Sequence, residues 1–131
     1  MSRDDHLVKL LREGWPGIQA VYLFGSVAKG EEHPDSDLDV AGLGPNGRQH
    51  CMDLQLALSM EVGQEVDLVD LRSAPTILQK EVISGGHLLW ADNRVEVEFF
   101  ELYVWASYQK LSDERAQILA AGKQSGRFYN P

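Results

Sequence analysis

Two spacings of apolar residues take turns along the chain and divide it into helices and strands. Over residues 4–14, Leu7, Val8, Leu10 and Leu11 recur at helical spacing, with Asp4 or Asp5 placed to cap the helix and Gly14 to stop it. Trp15-Pro16-Gly17 reads as a turn, and Ile18 to Phe24 as a first strand that ends at Gly25-Ser26. A short helix over Ser26 to Gly30 and a polar loop, Glu31 to Ser36, lead to a second strand over 37–43; Pro34, Asp35 and Ser36 suit turn chemistry in that loop. The run Gly42-Leu43-Gly44-Pro45-Asn46-Gly47 signals a further loop. Arg48 to Val62 then carries Cys51, Met52, Leu54, Leu56, Ala57, Leu58 and Met60, a packed helix with Met52 and Met60 as core filler and Gly63 as its end.

Alternation returns at Glu65 to Leu71, a third strand on which Val66, Leu68 and Asp70 face one way and Asp67, Val69 and Leu71 the other. A helix over 74–84 follows, with Ser73 as cap and Pro75 in its first turn, and Gly85-Gly86 separates it from a fourth strand, His87 to Ala91. His87, alone beside two glycines, reads as structural. Asp92 or Asn93 caps a long last helix over 94–121. Its apolar stripe is broadened by Phe99, Leu102, Tyr103 and Trp105, an excess that suits an ordinary core helix or a partner interface. This order of elements predicts an α/β (α+β) fold: one domain over residues 1–121, a small mixed sheet of about four strands, helices mainly on one face and a long C-terminal helix. Residues 122–131 read as a flexible tail in which Arg127-Phe128-Tyr129 can order on binding.

Composition narrows the function classes. A chain of 131 residues, 44% hydrophobic and 24% charged, can bury one ordinary core, which excludes disorder along its body. The net charge of −8 excludes a broad nucleic-acid footprint and suits a basic protein partner. With no long apolar run and no signal-peptide pattern, the expectation is a cytoplasmic protein that does not enter a membrane. Cys51 is the single cysteine, so an internal disulfide and a cysteine-cluster zinc site are both excluded. His6, His33, His50 and His87 are dispersed and have no metal-binding spacing.

The candidate chemistry lies between Gly25 and Asp39. On a strand, Asp37 and Asp39 point to one face with Cα atoms roughly 6.6 Å apart at about 3.3 Å per residue. Two desolvated carboxylates so placed stay charged only with cations between them, and hard divalent ions such as Mg²⁺ take carboxylate oxygens. Gly25 lets the backbone turn and approach a ligand, Ser26 offers a hydroxyl to a phosphate oxygen, and Lys29 adds a positive charge one turn later. Together these parts describe phosphoryl-type chemistry on a nucleoside triphosphate.

Gly25-Ser26, ten residues, then Asp37-x-Asp39 resembles the signature of the polymerase beta-like nucleotidyltransferases, and the short chain looks like their minimal branch. The resemblance implies that family's fold and strand order, two Mg²⁺ ions held by Asp37 and Asp39, and ATP bound through Gly25, Ser26 and Lys29. It also implies a third carboxylate on the strand beside Asp37-x-Asp39, Asp67, which completes the metal site and acts as base toward the acceptor hydroxyl. Asp70 is its rival, with the alternative reading of a cap before the next helix. Minimal members of this kind resemble antitoxins that AMPylate a tyrosine of a partner HEPN-domain ribonuclease toxin. That implies a protein adenylyltransferase acting as an antitoxin, with a homo- or hetero-oligomer formed through the C-terminal helix. A non-catalytic antitoxin that neutralises by binding, and a nucleotidyltransferase acting on a small antibiotic-type hydroxyl, stay open as alternatives. The chain departs from many relatives after Gly-Ser, where they carry arginines and it carries Val27, with Lys29 the nearest cation.

Overall fold

The structure, a computed structural model, describes residues 1–30 and 37–125. Helix α1 (Arg3–Gly14) opens at Ser2, whose hydroxyl accepts from the Asp5 N–H at 3.2 Å while the Asp5 carboxylate accepts from the Ser2 N–H at 3.2 Å. Ser2 is therefore the cap, and Asp5 supplies the returning half of a reciprocal box. Strand β1 (Ala20–Phe24), a single turn α2 (Gly25–Ala28), β2 (Leu38–Leu43), α3 (Gly47–Val62), β3 (Val66–Asp70), α4 (Thr76–Gly85), β4 (His87–Ala91) and α5 (Arg94–Ser125) follow. The sheet order is β3-β2-β1-β4; β1 is antiparallel to both neighbours, and β2 pairs with β3 in parallel. The expected Asp35 and Ser36 turn and the Arg127-Phe128-Tyr129 segment lie outside the described residues.

The mixed sheet of four strands and the long C-terminal helix are as the sequence predicts. The helices, however, cover both faces rather than mainly one. On one face Val21, Leu23, Val40 and Leu68 meet α1 and α3 through Leu7, Leu11 and Leu58; on the other Ala20, Tyr22, Ala41 and Leu43 meet Val82 of α4 and Val97 of α5. The cause is in β1, buried from Ala20 to Leu23, since a central strand apolar on both sides needs cover on both. Trp15 is more than a turn residue. Its ring is fully buried over Gly42 and Gly44, stacks on His50 at 5.6 Å, and donates its indole N–H to the Pro45 carbonyl at 2.7 Å.

In α3, Cys51 and Leu58 point inward, and burial, followed by the charge of Asp70, pushes the Cys51 thiol up to about 12. Met52 and Met60 are not core filler. They and Leu56 stand out to solvent. At 100° per residue, positions 52, 56 and 60 are each one step round from the buried or edge-facing ones, and residue type alone does not show that step. The first residue outside α4 is Pro75 rather than Ser73. The connection from β3 is closed by buried Gln79, whose amide donates to the carbonyls of Leu71 at 2.9 Å and Arg72 at 3.3 Å. Of the two candidate caps for α5 it is Asn93 that acts, accepting from the N–H groups of Val95 at 3.0 Å and Glu96 at 3.2 Å. α5 packs on α4 and continues past residue 121. Among the described residues no helix is long and apolar enough to cross a membrane.

Candidate active site

The register of the sheet assembles the site. Phe24, the last residue of β1, stands opposite Asp39 of β2, and Asp39 stands opposite Asp67 of β3. Asp37 directly precedes β2 and shares the face of Asp39 by the two-residue period. Asp37 and Asp67 are exposed while Asp39 is partly buried. Burial first, then the charges of Asp67 and Asp37, hold the Asp39 carboxyl above the usual carboxylate range. No Lys, Arg or His among the described residues is ion-paired with any of the three.

Gly25 brings the backbone against this corner. Its φ of +77° lies in the left-handed region, and a Cβ added there would run into the Asp39 carboxylate. Two constraints thus select glycine, the conformation and the close approach. The chain then makes the single turn of α2, closed by the Lys29 N–H on the Gly25 carbonyl at 3.3 Å and the Ser26 carbonyl at 3.2 Å, with no side chain capping its start. Ser26 is partly buried in that turn and Lys29 is exposed just beyond it. Gly25, Ser26, Asp37, Asp39 and Asp67 therefore meet at one end of the sheet.

His87 has a specific structural part. It opens β4 opposite Leu23, and its Nε2 lies 2.8 Å from the Ala28 carbonyl, to which it donates, so β4 holds the end of α2. Nothing in the sequence pairs residues 87 and 28, since β1 and β4 come together only in the folded sheet. Asp70 is at the other end of β3, opposite Gly42, and does not cap α4. Its carboxylate lies against Gly47 at the start of α3, where a negative charge suits the helix N-terminus, and its Oδ1 is buried without a hydrogen-bond partner. A cavity of about 500 Å³ opens there, lined by Arg48, Met52, Asp70 and Arg72 among others, and includes none of the signature residues. The fold brings Asp67, and not Asp70, to Asp39.

No three His, Cys, Asp or Glu side chains among the described residues form a ready-made metal cage. The donor set nevertheless fits Mg²⁺, a hard ion held by one or two carboxylates with substrate phosphates and water completing its shell. Such an ion would favour the charged form of Asp39, which burial and then the charges of Asp67 and Asp37 disfavour.

The family description "Polymerase beta, Nucleotidyltransferase" matches residues 6–95, which contain every residue of this corner. The chain belongs to that nucleotidyltransferase family. This nucleotidyltransferase is 37% identical over 118 residues to the protein adenylyltransferase MntA of Shewanella oneidensis, covering 88% of the chain and 84% of that protein. Among solved structures it is similar to a toxin–antitoxin crystallised with AMP-PNP, with a TM-score of 0.81 and 36% identity over 90% of this chain and 96% of that one. A tri-AMPylated Shewanella oneidensis HEPN toxin in complex with MNT antitoxin matches with a TM-score of 0.75 and 33% identity, over 91% of this nucleotidyltransferase and 94% of that chain.

Proposed function

We propose that the chain transfers AMP from ATP to a tyrosine hydroxyl of a partner HEPN-domain toxin and acts as its antitoxin. The observation that carries this reading is the row across the sheet: Asp39 opposite Asp67, with the Gly25 backbone against Asp39. Support comes from the likeness to MntA, a protein adenylyltransferase, and to complexes with AMP-PNP and with an AMPylated toxin. Asp37, Asp39 and Asp67 would hold a pair of Mg²⁺ ions, which when bound supply neutralising charge to the triphosphate. The Gly25-Ser26 turn takes phosphate oxygens through its N–H groups and the Ser26 hydroxyl, and Lys29 adds charge from the rim. Asp67, exposed on an edge strand, stands on the side an acceptor can reach and takes the hydroxyl proton. The acceptor oxygen bonds to the α-phosphorus, the bond from that phosphorus to the bridging oxygen breaks, and diphosphate leaves.

The test is incubation with α-labelled ATP, Mg²⁺ and a candidate HEPN-domain partner protein, with Asp37→Asn/Asp39→Asn as control. Label is expected on a tyrosine of the partner and absent with the variant. A tight complex without label would replace this reading with neutralisation by binding alone.

A further inference from the structure

Helix α5 is apolar on two sides, and the fold uses one of them. Val97 and Val104 are buried. Opposite them, Val95, Phe99, Leu102 and Tyr103 form a stripe whose last three members are 67%, 63% and 66% exposed. The stripe is about 12 Å long at roughly 1.5 Å per residue, and Trp105, itself partly exposed, widens it on the side of Glu101. Single exposed apolar residues need no explanation, but four in line with two aromatic rings among them form a patch.

The strand register ties this helix to the site. Phe24, Asp39 and Asp67 stand in one row, and by the two-residue period their side chains share the face of Tyr22, Ala41 and Val69. That is the face covered by α4 and α5. α5 reaches it directly, because the Tyr22 hydroxyl donates to the Glu101 carboxylate at 3.2 Å. Tyr22 is a single two-residue step from Phe24, roughly 6.6 Å at about 3.3 Å per residue, and Phe24 stands opposite Asp39. Helix α3 belongs to the other face, where Leu58 packs with Val66 and Leu68. Its Ser59 hydroxyl accepts from the Val66 N–H at 2.9 Å and its Gln55 side chain from the Leu68 N–H at 2.8 Å.

We infer that the α5 stripe is the docking face for the protein that is modified, and that this protein meets it with an apolar patch ringed by basic side chains. The inference rests on the proposed transfer to a protein hydroxyl. A hydroxyl brought to Asp39 and Asp67 arrives from the side their carboxylates face, so the body of its protein lies over the layer of α4 and α5. Glu96 and Glu98, both exposed, border the stripe along its two sides and select positive charge in the partner, while Arg94 and Lys110 stand only at its ends. A second copy of the chain would bring the same acids and the same net charge of −8, which opposes self-pairing.

The experiment measures label transfer to the HEPN-domain protein by wild type, by Phe99→Ser/Leu102→Ser/Tyr103→Ser, by Glu96→Lys/Glu98→Lys and by Met52→Ser/Leu56→Ser/Met60→Ser. The α5 stripe variant is expected to raise the KM for the acceptor by about tenfold or more, the loss of a central contact. Its KM for ATP and its kcat at saturating acceptor stay within about twofold, as exposed substitutions allow. The charge-reversed variant raises the acceptor KM as well, and the variant of the exposed α3 residues, on the other face, leaves it unchanged. Wild-type transfer with an unaltered acceptor KM in both α5 variants overturns the docking face alone; a wild-type dimer that the stripe variant splits would then give the stripe to a second copy. A complete absence of wild-type transfer overturns the functional reading beneath it, and the docking face with it.

Discussion

Asp39 carries opposed demands. Its carboxylate must be charged to hold a cation, yet burial and the neighbouring Asp67 and Asp37 favour its protonated form. The native state therefore keeps this proton to a higher pH than the unfolded chain does. Between the ordinary carboxylate value and the raised native one, the native state binds more protons, so this group's contribution to stability falls as pH rises through that window. Asp39→Asn removes the penalty. The variant is expected to melt a few degrees above wild type at neutral pH in chelator, and to gain less on acidification; thermal scans across pH check it, and a lower melting temperature would contradict it. Mg²⁺ raises the melting temperature of wild type more than that of the variant, because only wild type keeps the full donor set. The pair Asp37 and Asp39 is legible in the sequence because a strand's two-residue period is local. The choice of Asp67 over Asp70 is not, since it depends on the register between β2 and β3, whose pairing joins residues far apart in the chain. That Gly25 touches Asp39 is hidden for the same reason.

Among the elements, α2 is the smallest and the most dependent on a neighbour. One turn cannot hold its own geometry, and the bond from His87 to the Ala28 carbonyl fixes its end. His87→Ala is expected to raise the KM for ATP about fivefold, the equivalent of one lost hydrogen bond of about 1 kcal/mol, with the circular dichroism unchanged. His87→Gln, which can still donate, recovers part of that loss; nucleotide titrations of the three proteins decide. The strands and helices themselves were readable to within a few residues, because apolar period, caps and glycine stops act locally. The faces were less so. Met52 and Met60 look like core residues until the helix angle is known, and the burial of both sides of β1 appears only once α4 and α5 are seen to cover it.

Across the whole molecule, stability and chemistry sit at opposite ends of the sheet. Trp15 joins the end of α1 to Gly42, Gly44, Pro45 and His50, while the carboxylates gather where β1 ends and β2 begins. Trp15→Ala should cost about 3–5 kcal/mol, seen as a lower urea midpoint, while nucleotide affinity at low temperature stays close to wild type. A Trp-Pro-Gly sequence announces a turn but not that its indole closes a core, because the glycines that receive it lie a strand and a loop away. One further consequence follows from the side chains of Gln55 and Ser59. By occupying the N–H groups of Leu68 and Val66, they leave the rim of β3 little with which to recruit another strand. The chain can thus stand at high concentration without pairing through the β3 rim into aggregates.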